Sequence, residues 1–152
     1  MNKMMQKSDE RFVPRIESEL EVKAFLQDVT YALENGAKLI FQQDRRIDEK
    51  RDEKYTNRFT VAELFPDKDP IEALKEELLK LTVEEYFRTV KDIKYPERKE
   101  FREFGKVYRE SDEVYIKLRL EMFDKDGLTV TFVMSFHFAE KPFSEEVFPY
   151  KK

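Results

Sequence analysis

The stretch LTVTFVMSFHF, residues 128–138, decides the fold. Apolar and polar residues alternate along it, and they alternate in the same way along EVYIKLRLEM, residues 113–122. A period of two places successive side chains on opposite faces of a strand. We therefore predict an antiparallel hairpin whose apolar face carries Val114, Ile116, Leu118, Leu120, Met122, Leu128, Val130, Phe132, Met134, Phe136 and Phe138. The other face, toward solvent or a cleft, is predicted to carry Tyr115, Lys117, Arg119, Glu121, Thr129, Thr131, Val133, Ser135 and His137.

The turn between these strands predicts their register. DKDG, residues 124–127, has the form of a type I turn with Gly127 in a left-handed bulge position, which would pair Asp124 with Leu128. Directly opposed side chains have Cβ atoms about 5 Å apart. Counting back from the turn gives two opposed pairs on the polar face, which are Lys117 with Ser135 and Tyr115 with His137.

Two amphipathic helices are predicted before the strands. The first covers 18–35, where apolar residues recur at helical spacing and Asn35-Gly36 is a stop signal. The second covers 70–81, where Asp69 suits the N-cap and Pro70 the first helical position. Two apolar helix stripes and one apolar sheet face have only each other to bury against. We therefore expect these helices to cover the apolar face of the hairpin.

Shorter segments carry weaker signals. Thr82, with Glu85 in capping-box spacing, predicts the start of a short helix that carries Arg88. KLIF, residues 38–41, is predicted to be extended, and residues 102–108 to form a further strand.

The order of these segments predicts the organisation of the chain. Residues 1–17 are predicted to be a flexible tail, and residues 18–152 a single domain with a charged loop around 43–58. Helices followed by antiparallel strands predict the α+β class.

Composition restricts the function classes. The chain has 152 residues, no cysteine, one histidine, three glycines and a net charge of −4. Without cysteine there is no disulfide or thiolate metal site, and no apolar run approaches the roughly 20 residues of a membrane span. We therefore expect a cytoplasmic protein with no metal, no cofactor and no membrane partner. The net charge argues mildly against nucleic acid, because proteins that bind phosphate backbones usually carry a basic excess.

The predicted cluster of Tyr115, Lys117 and His137 has the groups that RNA cleavage by internal transfer requires. That reaction needs a base for the 2′-hydroxyl, an acid for the leaving 5′-oxygen and cations around the phosphate. Imidazole exchanges a proton near neutral pH. The same pattern also fits ordinary solvent-facing residues of a sheet, so the residues alone leave both interpretations open.

Five short blocks, in order along the chain, resemble the MqsR-like toxins of toxin–antitoxin systems, particularly their longer Gram-positive relatives. The blocks are LTVEEYFR (81–88), EFGK (103–106), EVYIKL (113–118), SFHFAEKPF (135–143) and FPY (148–150). The resemblance implies a RelE-like ribonuclease fold with N-terminal helices packed on a small antiparallel sheet. It also implies cofactor-independent cleavage of single-stranded mRNA, neutralisation by a cognate antitoxin, and the ribosome as a further candidate partner.

The resemblance also assigns residues. Its catalytic positions fall on Arg88, Tyr115, Lys117 and His137. His137 is expected to protonate the leaving 5′-oxygen, while the two cations stabilise the phosphate. Candidate substrate-binding residues are Lys106, Arg119 and Ser135. A functional glutamine of the shorter toxins has no counterpart here.

A second function stays open on the sequence. A non-catalytic binding or regulatory module of the same fold would use the acidic helical segment 63–85 to engage a basic partner. The acidic net charge favours this alternative.

Overall fold

A computed structural model describes residues 11–44, 52–123 and 128–152. Three helices and six strands lie within these ranges: β1 (Phe12–Arg15), α1 (Glu19–Glu34), β2 (Lys38–Phe41), α2 (Asn57–Leu64), α3 (Pro70–Leu78), β3 (Tyr86–Asp92), β4 (Phe101–Tyr108), β5 (Asp112–Phe123) and β6 (Leu128–Phe138). One mixed sheet has the order β1-β3-β4-β5-β6-β2, and β2 runs parallel to β6 while the other neighbours are antiparallel. The α+β class is confirmed.

Helix α1 begins and ends where the sequence predicts. Ser18 caps it, with reciprocal hydrogen bonds between Ser18 and Glu21 that form a capping box. Its stripe of Val22, Phe25 and Val29 is buried against the sheet. Apolar residues at helical spacing therefore place one face of α1 in the core.

Helix α3 also begins as predicted, with Asp69 accepting a hydrogen bond from the backbone N–H of Glu72 and Pro70 in the first turn. It ends at Leu78, three residues before the predicted end at 81. Leu79 is 40% exposed, whereas Leu81 is buried. The chain leaves the helix so that Leu81 can reach the core.

Part of the predicted tail is a strand, which corrects that prediction. Residues 12–15 form β1 and pair with β3 from Phe12 opposite Asp92 to Arg15 opposite Thr89. Arg11 clamps the start of β1, because its Nε and Nη2 donate to the carboxylate of Asp92 at 2.8 and 2.6 Å. These contacts join positions 81 residues apart, so the local periodicity of the sequence does not predict them. Residues 1–10 lie outside the described ranges.

The short helix predicted from Thr82 is also wrong. Thr82 and Glu85 do form the capping box, yet it encloses only the single turn Val83–Glu85, and Tyr86 begins β3. Neighbours β1 and β4 supply the backbone hydrogen bonds of β3 on both sides. Arg88 is therefore carried by a strand of the sheet.

The charged segment predicted as a loop contains structure at its end. Glu53–Tyr55 forms a single 3-10 turn, and α2 begins at Asn57. The remainder, 45–51, lies outside the described residues. Asn57 is only 2% exposed. The segment predicted as a charged loop therefore contributes a buried polar residue to the fold.

A β-bulge at Met134 sets the register of the hairpin. From Phe123 opposite Leu128 to Leu118 opposite Val133 the pairing is regular, and the next pair is Lys117 opposite Ser135. Met134 is the extra residue on β6. A bulge of this kind shifts the strand by one residue and so exchanges its two faces.

The bulge corrects one prediction and explains why another is right. Leu128 pairs with Phe123 rather than with Asp124, so the predicted register near the turn is off by one residue. The bulge adds one residue to β6 and so compensates for this offset. The predicted pairs Lys117–Ser135 and Tyr115–His137 are therefore confirmed. The predicted turn at 124–127 lies outside the described residues.

The faces of β6 change at the same point. Val133 packs in the core under the helices, and Phe136 joins it beyond the bulge. Phe132 lies on the opposite face, where its ring contacts Phe101. The predicted alternation is therefore wrong for residues 129–133 and right for residues 135–138, and the side chain of Leu128 lies outside the described part of the structure.

Asn57, at the start of α2, holds the bulge in place. Its Nδ2 donates to the carbonyl oxygens of Gln42 and Met134 at 2.7 and 2.9 Å, and its Oδ1 accepts from the backbone N–H of Phe136 at 3.0 Å. Strand β2 ends at Phe41, so this side chain continues the hydrogen bonding along the edge of β6 where the partner strand stops.

Replacing Asn57 by Ala is expected to leave three backbone groups, one buried and two half-buried, without this partner. Each such group costs about 1–3 kcal/mol, so the free energy of unfolding should fall by roughly 3 kcal/mol or more. The matched control is Asn35→Ala, whose amide makes one exposed hydrogen bond to Tyr31 and should cost about 1 kcal/mol or less. Urea unfolding measures both variants, and equal losses would mean that Asn57 does not hold the bulge.

Glu17, buried between α1 and the sheet, joins several segments. Its carboxylate accepts from Arg102 Nε and Nη2 at 2.8 and 3.0 Å and from the hydroxyl of Thr89. Its backbone N–H donates to Tyr86, and its carbonyl accepts from the hydroxyl of Tyr150. Burial opposes the charge, but the hydrogen bonds from Arg102 and Thr89 outweigh it and hold the pKa of Glu17 below its ordinary 4.5.

A depressed folded-state pKa predicts a specific pH dependence. Glu17 contributes stability above its unfolded pKa, and that contribution is lost as the pH falls below about 4.5 and through the lower folded value. When the pH is lowered from neutral to below 4.5, the free energy of unfolding should therefore fall less in Glu17→Gln than in the parent. Urea unfolding at neutral pH and at one pH below 4.5 measures this, with the exposed Glu34→Gln as control. Equal losses in parent and Glu17→Gln would contradict the assignment.

Candidate functional site

Two rows of opposed residues cross the face of the sheet that the helices leave uncovered. The ion-pair row consists of Arg88, Glu103, Lys117 and Ser135, one from each of β3, β4, β5 and β6. The aromatic row lies beside it and consists of Gly105, Tyr115 and His137. The sheet therefore brings all four predicted catalytic side chains onto one face.

One carboxylate serves both cations of the ion-pair row. Glu103 is 2% exposed; its Oε1 accepts from Arg88 Nε at 2.6 Å, and its Oε2 lies 4.0 Å from Lys117 Nζ. Burial works against the charge on Arg88, but attraction to Glu103 exceeds it and raises the pKa of Arg88 above its ordinary range. Arg88 nevertheless keeps 44% of its side chain exposed, so it can still meet a ligand.

Lys117 lies deeper than the sequence predicts. The residue is buried, and its Nζ sits 3.7 Å from the ring centroid of Phe12 and 5.0 Å from that of Phe101. An ammonium over aromatic faces is stabilised by their quadrupoles. Lys117 is therefore placed to support Glu103 rather than to face solvent.

Tyr115 and His137 pair in the aromatic row. Their ring centroids are 5.3 Å apart and the planes are tilted by 41°. His137 is 5% exposed, and its Nδ1 lies 2.9 Å from the carbonyl oxygen of Phe138. Because a carbonyl only accepts, the neutral ring carries its proton on Nδ1 in this contact, which makes Nε2 its acceptor nitrogen. His137 is therefore buried and packs against Tyr115.

The C-terminal segment, residues 139–150, covers the Gly105 end of this row. A Cβ on Gly105 would lie 2.7 Å from a ring carbon of Phe143 and 2.9 Å from one of Phe148. Phe148 also contacts Phe87, whose ring lies 5.9 Å from that of Tyr115. Gly105 is thus required by the close approach of two rings.

The three predicted substrate-binding residues do not line an open surface. Lys106 pairs with Val114, which places it on the helix-covered face, where its Nζ donates to Glu85 at 2.9 Å. Ser135 is buried at 2% exposure.

Arg119 is on the predicted face but is also buried. Its guanidinium lies over the rings of Phe101 and Phe132, with Nε 2.8 Å from a carboxylate oxygen of Glu121. Burial lowers the pKa of Arg119. The face predicted to meet solvent is largely covered by the protein's own aromatic side chains, several of them from segments distant in sequence.

An open cleft of about 360 Å³ adjoins the exposed side of Arg88. We call it the Arg88 cleft; it is lined by residues 14–16 at the end of β1, 87–88 in β3 and 145–147 in the C-terminal segment. Arg88 is the one predicted catalytic residue among those that line it.

Sequence reasoning missed Glu103 and Gly105. Glu103 stands in the quoted block EFGK, but its partners are fixed only by the pairing of β4 with β3 and β5. A signal for Gly105 was present, because a glycine inside a predicted strand often marks the close approach of another group.

Within the described ranges, no group of three or more His, Asp and Glu side chains could hold a metal ion. In those same ranges no helix has both the length and the apolar character needed to cross a bilayer. Comparisons with known protein families, curated proteins and solved structures found no match.

Removing the charge of Glu103 tests the ion-pair row. Glu103→Gln leaves Arg88 and Lys117 without their shared carboxylate, and breaking a buried pair costs about 3–5 kcal/mol. Glu63→Gln is the control, because its pair with Arg109 leaves 49% of each side chain exposed and should cost about 1 kcal/mol or less. Thermal and urea unfolding report the difference. A Glu103→Gln protein as stable as the control would show that the row is not a stabilising unit.

Proposed function

We propose that this chain is an endoribonuclease toxin of RelE-like fold that cleaves single-stranded mRNA without a metal and is neutralised by a cognate antitoxin. The observation that supports it best is the opposition of Tyr115 and His137 beside the partly exposed Arg88 on one face of the sheet. The packing of α1 and α3 on the other face is compatible with a RelE-like arrangement, to which β1 and β2 add strands.

Arg88 is the residue that binds the scissile phosphate in this proposal. Its guanidinium is held through Nε by Glu103 and stays partly exposed. A planar guanidinium binds phosphate oxygens through two parallel hydrogen bonds, which suits the extra charge of a pentacoordinate phosphate. Lys117, buried under Phe12, acts indirectly by holding Glu103 and hence Arg88.

Tyr115 and His137 are assigned the proton transfers. The 2′-oxygen attacks phosphorus while the bond to the 5′-oxygen breaks, which yields a 2′,3′-cyclic phosphate and a 5′-hydroxyl. In the proposed step the phenolate form of Tyr115 takes the proton of the 2′-hydroxyl, and the imidazolium form of His137 gives its Nε2 proton to the leaving oxygen. Transfer of a proton from Tyr115 to the opposed His137 then restores both groups. Tyr115 is the more exposed of the two, so RNA meets it first.

The second candidate is a non-catalytic binding module, and a specific observation favours it. The candidate cations are already close to carboxylates of the chain: Arg88 and Lys117 to Glu103, Lys106 to Glu85, and Arg119 to Glu121. Such pairing lowers the gain from binding phosphate. In this alternative the acidic surface around α3 engages a basic partner.

The deciding experiment incubates the purified chain with single-stranded RNA in the presence of EDTA and identifies the cleaved ends. The parent should yield 2′,3′-cyclic phosphate ends, and Arg88→Gln, Tyr115→Phe and His137→Asn should each reduce the rate by about 100-fold or more. Asn at position 137 retains a donor for the Phe138 carbonyl but cannot exchange a proton near pH 7. Induced expression in bacteria should arrest growth for the parent alone.

Arg109→Gln is the matched control, because Arg109 is also ion-paired and its side chain is 49% exposed. It should cleave like the parent. Absence of cleavage by a folded parent would favour the binding module. Full activity in His137→Asn would remove His137 from the mechanism.

A further inference from the structure

The Arg88 cleft has the chemistry of a nucleotide subsite. Its apolar lining residues include Ile16 and Val147, which are 55% and 77% exposed, and the buried Phe87. Exposed apolar side chains beside an open cleft have surface to bury against a flat ligand. Nucleobases in single-stranded RNA are held in this way, against apolar and aromatic side chains.

The charges of the cleft are distributed unevenly. Arg15 lines it, but its Nε and Nη2 already donate to Glu100 at 2.9 and 2.6 Å. Arg88 is held only partly by Glu103, through Nε, and is the cation better able to accept a phosphate. One phosphate can therefore be bound at one end of the cleft.

Two carboxylates, Glu145 and Glu146, line the cleft as well. Glu146 is near enough to Arg88 to contribute to its raised pKa. Carboxylates accept hydrogen bonds and repel further anions, so a bare phosphate is a poor ligand for the whole cleft. A ligand with one phosphate and an edge of N–H donors matches it better.

We propose that the Arg88 cleft binds one nucleotide of single-stranded RNA and selects its base by the amino groups it presents. Arg88 takes the phosphate, the base lies between Ile16 and Val147, and its donor edge meets Glu145 and Glu146. Guanine is preferred because its adjacent N1–H and 2-amino donors match the two oxygens of a carboxylate. Cytosine and adenine offer one amino group, and uracil presents one donor between two carbonyl oxygens.

The location ties this subsite to the proposed chemistry, and the choice of RNA as ligand rests on the proposed function. Phe87 lines the cleft, and its ring contacts that of Tyr115. A base held there belongs to a nucleotide next to the scissile phosphate. The subsite would therefore determine the cleavage sequence.

Calorimetric titration of the full chain with GMP, IMP, UMP and inorganic phosphate tests the proposal. IMP differs from GMP only by lacking the 2-amino group. GMP should bind about tenfold more tightly than IMP, the loss of one hydrogen bond to a charged group, and more tightly than UMP or phosphate. The double variant Glu145→Gln with Glu146→Gln should remove most of the difference between GMP and IMP.

Val147→Trp fills the cleft and should weaken GMP binding by at least about tenfold. Leu20→Trp is its control, because Leu20 on α1 is 78% exposed and lies outside the cleft; it should bind GMP like the parent. Equal binding of GMP and IMP, binding of phosphate as tight as that of GMP, or unchanged binding in Val147→Trp would each overturn the proposal.

These titrations need no cleavage, so the two proposals fail separately. If the chain binds GMP as described but does not cleave RNA, the subsite is supported and the ribonuclease proposal is contradicted. If the chain cleaves RNA, and Val147→Trp and the double glutamine variant cleave it at the same sequences, the ribonuclease is supported and the subsite is contradicted.

Discussion

The amide of Asn57 and the β-bulge at Met134 form the constraint on which the rest of the structure depends. The bulge exchanges the faces of β6, so that residues 129–133 and residues 135–138 present opposite parities. Without it, His137 would point into the helix-covered core. Three hydrogen bonds from one buried side chain hold that irregular backbone where β2 no longer pairs with β6. A loop-proximal residue of α2 thereby decides which face carries the only histidine.

The face that receives His137 is a second, smaller core. Rings from β1 and from the C-terminal segment cover it, and Gly105 admits two of them at close range. Burial has a chemical consequence, because an ion pair or imidazole shielded from water interacts more strongly with its neighbours. Glu103 is therefore needed to keep Arg88 and Lys117 charged together at one place. The exposed part of Arg88 then connects this covered face to the cleft.

The net charge constrains the RNA binding that we propose. A charge of −4 provides little long-range attraction for a polyanion, so the proposed affinity would come from local contacts. In the Arg88 cleft the guanidinium of Arg88 is flanked by apolar and carboxylate residues, an arrangement that under this proposal favours selection of a base over indiscriminate binding to phosphate. The same acidic surface suits a basic protein partner, as a neutralising antitoxin or as the ligand of a binding module.

The sequence by itself determined what short-range physics controls: the period-two strands β5 and β6, the capped helices α1 and α3, and the nearness of Tyr115 to His137. That last prediction is right only because two errors cancel. The register predicted next to the turn is off by one residue, and the bulge, which was not predicted, shifts the pairing by one residue. The tertiary structure alone decided the strand identity of residues 12–15 and 86–92, the faces of 129–133, and the burial of Lys117. Edge pairing and burial of a second face depend on contacts between segments far apart in the chain, and local periodicity carries no record of such contacts.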